Sequence, residues 1–202
     1  MNTPYYIERT ANGANAITLE STLLESRIVF LDKPIDGESV NSIIKQLLVL
    51  SAISNEKITI LINTPGGSIS DGLALVDVIK ASPCPICTVS LGIAASMGAI
   101  ILAAGTKGLR FVSNHSRVML HEPLIQSGIG GSCSSVQATA DALMERKRLI
   151  NKLLCDYTGK DIKTINKATS FDNYLSAAAA VELGIVDAVL SDDELYQILK
   201  GV

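Results

Sequence analysis

Apolar positions recur along this chain in two alternating periods. Ile28 to Leu31 is a short apolar run that predicts a strand, and Val40, Ile43, Ile44, Leu47 and Leu48 then return at helical spacing, predicting one apolar helix face. Ile58 to Ile62 predicts a second strand, Asp71 to Lys80 a helix and Ile86 to Ser90 a third strand. The apolar run Ile100-Ile101-Leu102-Ala103-Ala104 ends at Gly105, and a strand-like run, Arg117 to Leu120, is followed by Glu122-Pro123, which should stop it because proline has no N–H for a ladder. From about Cys133 to Tyr157 a long helix is predicted, with Val136, Ala140, Leu143, Ile150, Leu154 and Tyr157 along one stripe and Lys147 interrupting it. Strands alternating with helices, and no internal linker, predict the α/β class in one domain over residues 1–202. Periodicity alone allows an ordinary doubly wound sheet.

Composition narrows the setting. A chain of 202 residues is long enough for one compact domain with a substantial core. Apolar residues make up 48% but aromatics only 4%, and tryptophan is absent, so Ala, Ile, Leu and Val must build that core. A mean hydropathy of +0.34 is high for a soluble monomer and points to buried subunit surface. The net charge of −3, without a basic cluster, argues against nucleic acid as a partner. No apolar stretch approaches the roughly 18 residues of a membrane span, and Met1-Asn2-Thr3-Pro4-Tyr5 has no signal-peptide profile, so the chain reads as cytoplasmic.

The candidate chemistry centres on Leu91-Gly92-Ile93-Ala94-Ala95-Ser96-Met97-Gly98-Ala99. A strand before it and an apolar helix after it put Ser96 at a sharp strand-to-helix turn, where a hydroxyl can point outwards beside the free N–H groups of the helix start. That geometry suits a nucleophile, although a small serine merely packed at a helix start would read the same. Of the two histidines, His115 and His121, the second ends the strand at Arg117–Leu120 and could reach a cleft; an exposed or structural strand-end histidine is the plain alternative. Asp172 lies in a loop just before a helix that Ser176 can cap and Gly184 can end. Spacing alone proves no triad. Cys84-Pro85-Ile86-Cys87 could be a redox pair or half a zinc site, but no second pair or nearby histidine completes a metal centre, and with Cys133 and Cys155 these read as structural thiols. The glycine-rich stretch 125–132 is not followed by Gly-Lys-Ser/Thr, which rejects a phosphate loop.

Four segments occur in register: Asn63-Thr64-Pro65-Gly66-Gly67, Ala94-Ala95-Ser96-Met97-Gly98, Ser116-Arg117-Val118-Met119-Leu120-His121-Glu122-Pro123-Leu124, and Asp172-Asn173-Tyr174-Leu175-Ser176. Together they resemble the proteolytic subunits of the Clp protease (the ClpP family of serine peptidases) from about Tyr6 to Leu190. The resemblance implies a ClpP/crotonase-like spiral of β-β-α units with a projecting handle helix. It implies an N-terminal axial segment over about 1–20, a head over 21–120 and 160–202, and a handle over about 124–159. It makes Ser96 the nucleophile, His121 the general base and Asp172 the orienting acid, with the backbone N–H groups of Gly67 and Met97 as the oxyanion hole. Two stacked heptameric rings, uniform or mixed with a paralogous subunit, would enclose the sites. A hexameric ATPase would feed in unfolded polypeptide; the ATP is used there, and this chain needs no metal or cofactor.

Departures from the family pattern accompany the match. The loop after His121 is longer than is typical, and Phe171 stands where an arginine usually ties the handle to the active site. Thr59, Leu61 and Ala81 replace aromatic residues of the ATPase-docking pocket, and Thr18-Leu19-Glu20 replaces a tyrosine-containing segment near the axial pore. A ring partner supplying the docking surface and an ATPase adapted to a different pocket both fit these losses. Two other functions stay open: a crotonase-like acyl-CoA enzyme, which shares the fold and two N–H oxyanion donors, and a catalytically idle or regulatory ring subunit.

Overall fold

A computed structural model describes residues 5–10, 13–125, 128 and 130–200 of the chain. Strands β1 (Tyr5–Thr10) and β2 (Gly13–Thr18) form an antiparallel hairpin within the segment expected to be axial, and helix α1 (Leu19–Glu25), which the apolar pattern does not predict, follows it. Strand β3 (Ile28–Leu31) leads to helix α2 (Gly37–Ile53), whose first turn is fixed by a capping box between Asp36 and Ser39. Strand β4 (Ile58–Thr64), helix α3 (Ile69–Ala81), strand β5 (Ile86–Ala95) and helix α4 (Met97–Ala103) continue the alternation. Then come β6 (Arg110–Ser113), β7 (Arg117–Leu120), the 26-residue helix α5 (Cys133–Thr158), α6 (Ile162–Thr169), β8 (Asn173–Leu175), α7 (Ala177–Leu183), β9 (Ala188–Leu190) and α8 (Asp192–Leu199).

The main sheet runs β3-β4-β5-β6-β9, all parallel, with β7 parallel to β5 and β8 antiparallel to β7. Side chains of a strand alternate between faces. Val29, Leu31, Ile58, Ile60, Ile62 and Ile86 enter the larger core, shared with α2, α3, α4 and the C-terminal part of α5. Ile28, Leu61, Cys87 and Val89 face the other way, under a thinner cover that includes Leu23 of α1 and Leu195 and Ile198 of α8. Both faces of the parallel strands are therefore apolar, as two-sided burial requires.

Within the elements that the sequence does predict, the structure departs from expectation in three places. β5 does not end at Ser90 but runs on to Ala95. The buried face of α2 is Val40, Ile43, Leu47 and Leu50; Leu48, expected on it, is exposed together with Val49 and Ile53. Ile44 already marks the partly buried rim of that face, and Leu48, four residues on and about 40° further around the helix, falls beyond it. Asp172 is followed by β8 rather than directly by a helix, although Ser176 and Gly184 do bound α7. Part of the glycine-rich stretch after His121, residues 126, 127 and 129, lies outside the described residues, as do residues 1–4, 11 and 12 of the N-terminal segment. Among the described residues, no helix is long and apolar enough to cross a membrane.

Candidate active site

The site is built where β5 changes partners. Thr88–Ser90 pair with β6, whereas Ile93–Ala95 pair with β7. Between the two ladders the backbone groups of β5 need other partners. Ser116 supplies them: its hydroxyl accepts from the Gly92 N–H at 2.8 Å and lies 2.9 Å from the Ser90 carbonyl. On the other side, where the β4–β5 register shifts, the Asn63 side-chain oxygen accepts from the Ile93 N–H at 3.2 Å. These two side chains carry β5 across the irregularity, and the strand delivers Ser96 to its C-terminal end.

Ser96 has φ 54° and ψ −121°, an unusual backbone for a non-glycine residue. Its N–H is held by the Met119 carbonyl at 2.8 Å, which locks the turn onto β7. Only small groups fit around it. A Cβ on Gly66 would lie 2.7 Å from the Ser96 Cβ and 2.6 Å from the Ala95 carbonyl oxygen, and one on Gly98 would lie 2.5 Å from Thr64. This is the physical reason for the small residues flanking the serine.

Strand register places the other two side chains. In the β7–β8 pair, Leu120 opposes Asn173, so His121 and Asp172 are the next residues along the same antiparallel ladder. The parallel β5–β7 register ends at Ala95–Met119, which puts His121 beside the Ser96 turn. Accordingly, His121 Nε2 lies 2.8 Å from Ser96 Oγ, and His121 Nδ1 lies 3.3 Å from Asp172 Oδ1. The His121 side chain is 17% exposed and that of Asp172 64% exposed. His115 sits in the exposed turn at the opposite end of β7 and takes no part.

The glycine pair after Thr64 lies against the same turn. The Ile35 N–H donates to the Gly66 carbonyl at 2.9 Å and the Ser68 N–H donates to the Ile35 carbonyl at 2.8 Å. Gly67, between them, therefore directs its own N–H away from Ile35. Its φ of +153° and the 2.2 Å approach that a Cβ would make to the Ile35 carbonyl oxygen leave room for glycine alone. Met97 is the first residue of α4, whose N–H has no partner within the helix. Beside Ser96 a shallow cleft opens, lined by Ile69, Met97, Ile100, Leu120, Pro123, Ile150 and Leu154 along with Ser96 and His121.

Comparison with known proteins settles the family. The Clp protease family matches this chain over residues 11–193. A relative from Ligilactobacillus salivarius (strain UCC118), the ATP-dependent Clp protease proteolytic subunit, is 39% identical over 190 residues, covering 94% of this chain and 95% of its own length. The chain belongs to the Clp protease family. Its mixed α/β architecture around a mostly parallel sheet is consistent with that of the Clp proteolytic subunits, and membership makes it a peptidase. Read as a Clp protease, the chain also shows features that the motifs did not assign. Asn63 and Ser116 lie inside two of the recognised segments, but their bonds to β5 depend on a register that sequence does not display. Lys147, which interrupts the apolar stripe of α5, forms an ion pair with Glu122. Phe171, next to Asp172, is 84% exposed, while Thr59 and Leu61 are buried within the thinner core.

Proposed function

We propose that this Clp protease is a serine endopeptidase in which Ser96 attacks the peptide carbonyl. The observation that carries this reading is the single line of polar contacts from Ser96 Oγ through His121 to Asp172. With the proton on Nδ1, turned towards Asp172, His121 Nε2 is free to accept the Ser96 proton as the hydroxyl attacks and to return it to the leaving amine. Asp172 holds that tautomer and stabilises the imidazolium formed in passing. The N–H groups of Gly67 and Met97 receive the oxyanion, each worth roughly 2.7–4 kcal/mol where such donors have been removed from a serine protease. Water then releases the acyl group. The route needs no metal or cofactor in this chain.

The mostly apolar lining of the cleft beside Ser96 favours an apolar side chain next to the scissile bond. Burying one such side chain contributes roughly 1.5–3 kcal/mol towards binding. We read residues 1–202 as one peptidase domain whose helix α5 projects from the head. The relative's name associates it with ATP dependence, and by analogy a hexameric ATPase would unfold substrates and feed them to rings of this subunit. Exposed Leu48, Val49 and Ile53, on the side of α2 away from its buried face, favour association with further subunits, since apolar side chains clustered on one face of a chain commonly mark contacts. Stacked heptamers are the arrangement we expect, uniform or mixed with a paralogue, in the cytoplasm.

The test is hydrolysis of a short fluorogenic peptide by the purified assembly, with native mass measurement of the same sample. Turnover that disappears in Ser96→Ala supports the reading. Turnover that survives Ser96→Ala, or hydrolysis of acyl-CoA thioesters without peptides, contradicts it.

A further inference from the structure

We propose that Glu122 and Lys147 are positioning residues that hold His121 against Ser96, an inference that rests on the serine-peptidase reading above. β7 ends at Leu120, so the His121 backbone lies one residue beyond the last ladder pair. Pro123 brings no N–H to fasten the chain that follows, and Leu124 is exposed. Among the described residues, the one polar side-chain tie from residues 122–125 to the rest of the protein is the ion pair of the Glu122 carboxylate with the Lys147 ammonium.

The lysine's place on α5 gives this tie its consequence. Lys147 lies three residues before Ile150 and seven before Leu154, on one helix face. Ile150 and Leu154 are buried and line the cleft with Leu120, His121 and Pro123. N-terminal to Lys147, the helix is mostly exposed. Lys147 therefore stands where α5 leaves the body of the protein, and reaches the residue after the histidine. A surface ion pair of this kind contributes little to folding. Its effect should fall on rate, because small displacements of a catalytic group cost far more in turnover than in stability.

The experiment compares the unaltered assembly with Lys147→Met, Glu122→Gln, Lys147→Arg and the charge-swapped Glu122→Lys/Lys147→Glu. It measures kcat and KM on a short peptide, the rate of fluorophosphonate labelling at Ser96, and thermal unfolding. Expected are a drop in kcat and in labelling rate of roughly fivefold for the two single neutral variants, well inside the roughly 100-fold that a misplacement of about 1 Å can cost. KM and the unfolding temperature should hold, Lys147→Arg should retain the rate, and the swapped pair should recover at least half of it. Equal rates in all variants, or a swapped pair no faster than the single variants, would overturn the positioning role alone. No labelling of the unaltered chain would overturn the serine reading and this role with it.

Discussion

Two aspartates in this protein are held in opposite ways. Asp187 lies beside Arg110, whose side chain is 5% exposed. Its carboxylate takes the guanidinium through both oxygens, at 2.6 and 3.0 Å, together with the N–H groups of Gly108 at 2.7 Å and Arg110 at 3.0 Å. Burial pushes this carboxyl up, but those hydrogen bonds and the Arg110 charge outweigh it and hold Asp187 below the ordinary carboxylate range. Asp172 is mostly exposed and meets one imidazole nitrogen at 3.3 Å. The first carboxylate joins β6, through Arg110, to the segment entering β9, and the same guanidinium reaches the Tyr157 carbonyl at the end of α5. Among the described residues, the second has His121 as its one polar partner. A carboxylate saturated with donors has a structural task, whereas one left with a single partner can answer a charge that appears on that partner only during the reaction.

The sharpest way to separate the two is Asp172→Asn. It should lower kcat on a short peptide by about 10⁴-fold, the scale seen when a triad acid loses its charge, while the urea midpoint stays unchanged. The converse is Arg110→Met, which leaves Asp187 partly buried and unpaired. Unfolding titrations should show a loss of about 3 kcal/mol, with kcat retained in the fraction that stays folded. If Arg110→Met abolished turnover without destabilising the protein, the contrast would be wrong.

A subtler substitution probes the backbone beneath the site. Ser116→Ala removes the hydroxyl that spans the gap between the β5 ladders, and should cost about 1–3 kcal/mol for the unsatisfied groups, together with a fall in kcat as the Ser96 turn loosens. The smallest effect concerns acid. Because the folded pKa of Asp187 is depressed, its stabilisation is complete above the ordinary value near 3.8 and is lost as the pH falls through the folded value. Stability curves of the native protein and Asp187→Asn should therefore converge as the pH drops below that range. Parallel curves down to the most acid point would contradict the assignment.

Much of the fold is legible in the sequence. The strands at Ile28, Ile58 and Ile86 appear as apolar runs because both faces of a parallel sheet are buried. Ser96 was readable because its turn needs small neighbours. What the sequence hid was register. β8 is three residues long, too short for a period, so nothing in Asn173-Tyr174-Leu175 announces that Asp172 will lie opposite His121. Gly92, with φ +84°, looks like the end of a strand, yet β5 continues through it because Asn63 and Ser116 bind the backbone on either side. Leu48 defeats the pattern for a different reason: an apolar residue near a helix stripe need not be buried, and this one is exposed beyond the rim of the stripe. Lys147 looked like a break in a stripe, and its partner lies 25 residues away in sequence, beyond any helical spacing.

The most direct test of the whole account is covalent. The assembled protein, treated with a fluorophosphonate and digested for peptide mass mapping, should carry a single adduct, on Ser96, that forms far more slowly in His121→Ala. An adduct on another serine, or equal labelling with and without the imidazole, would contradict it.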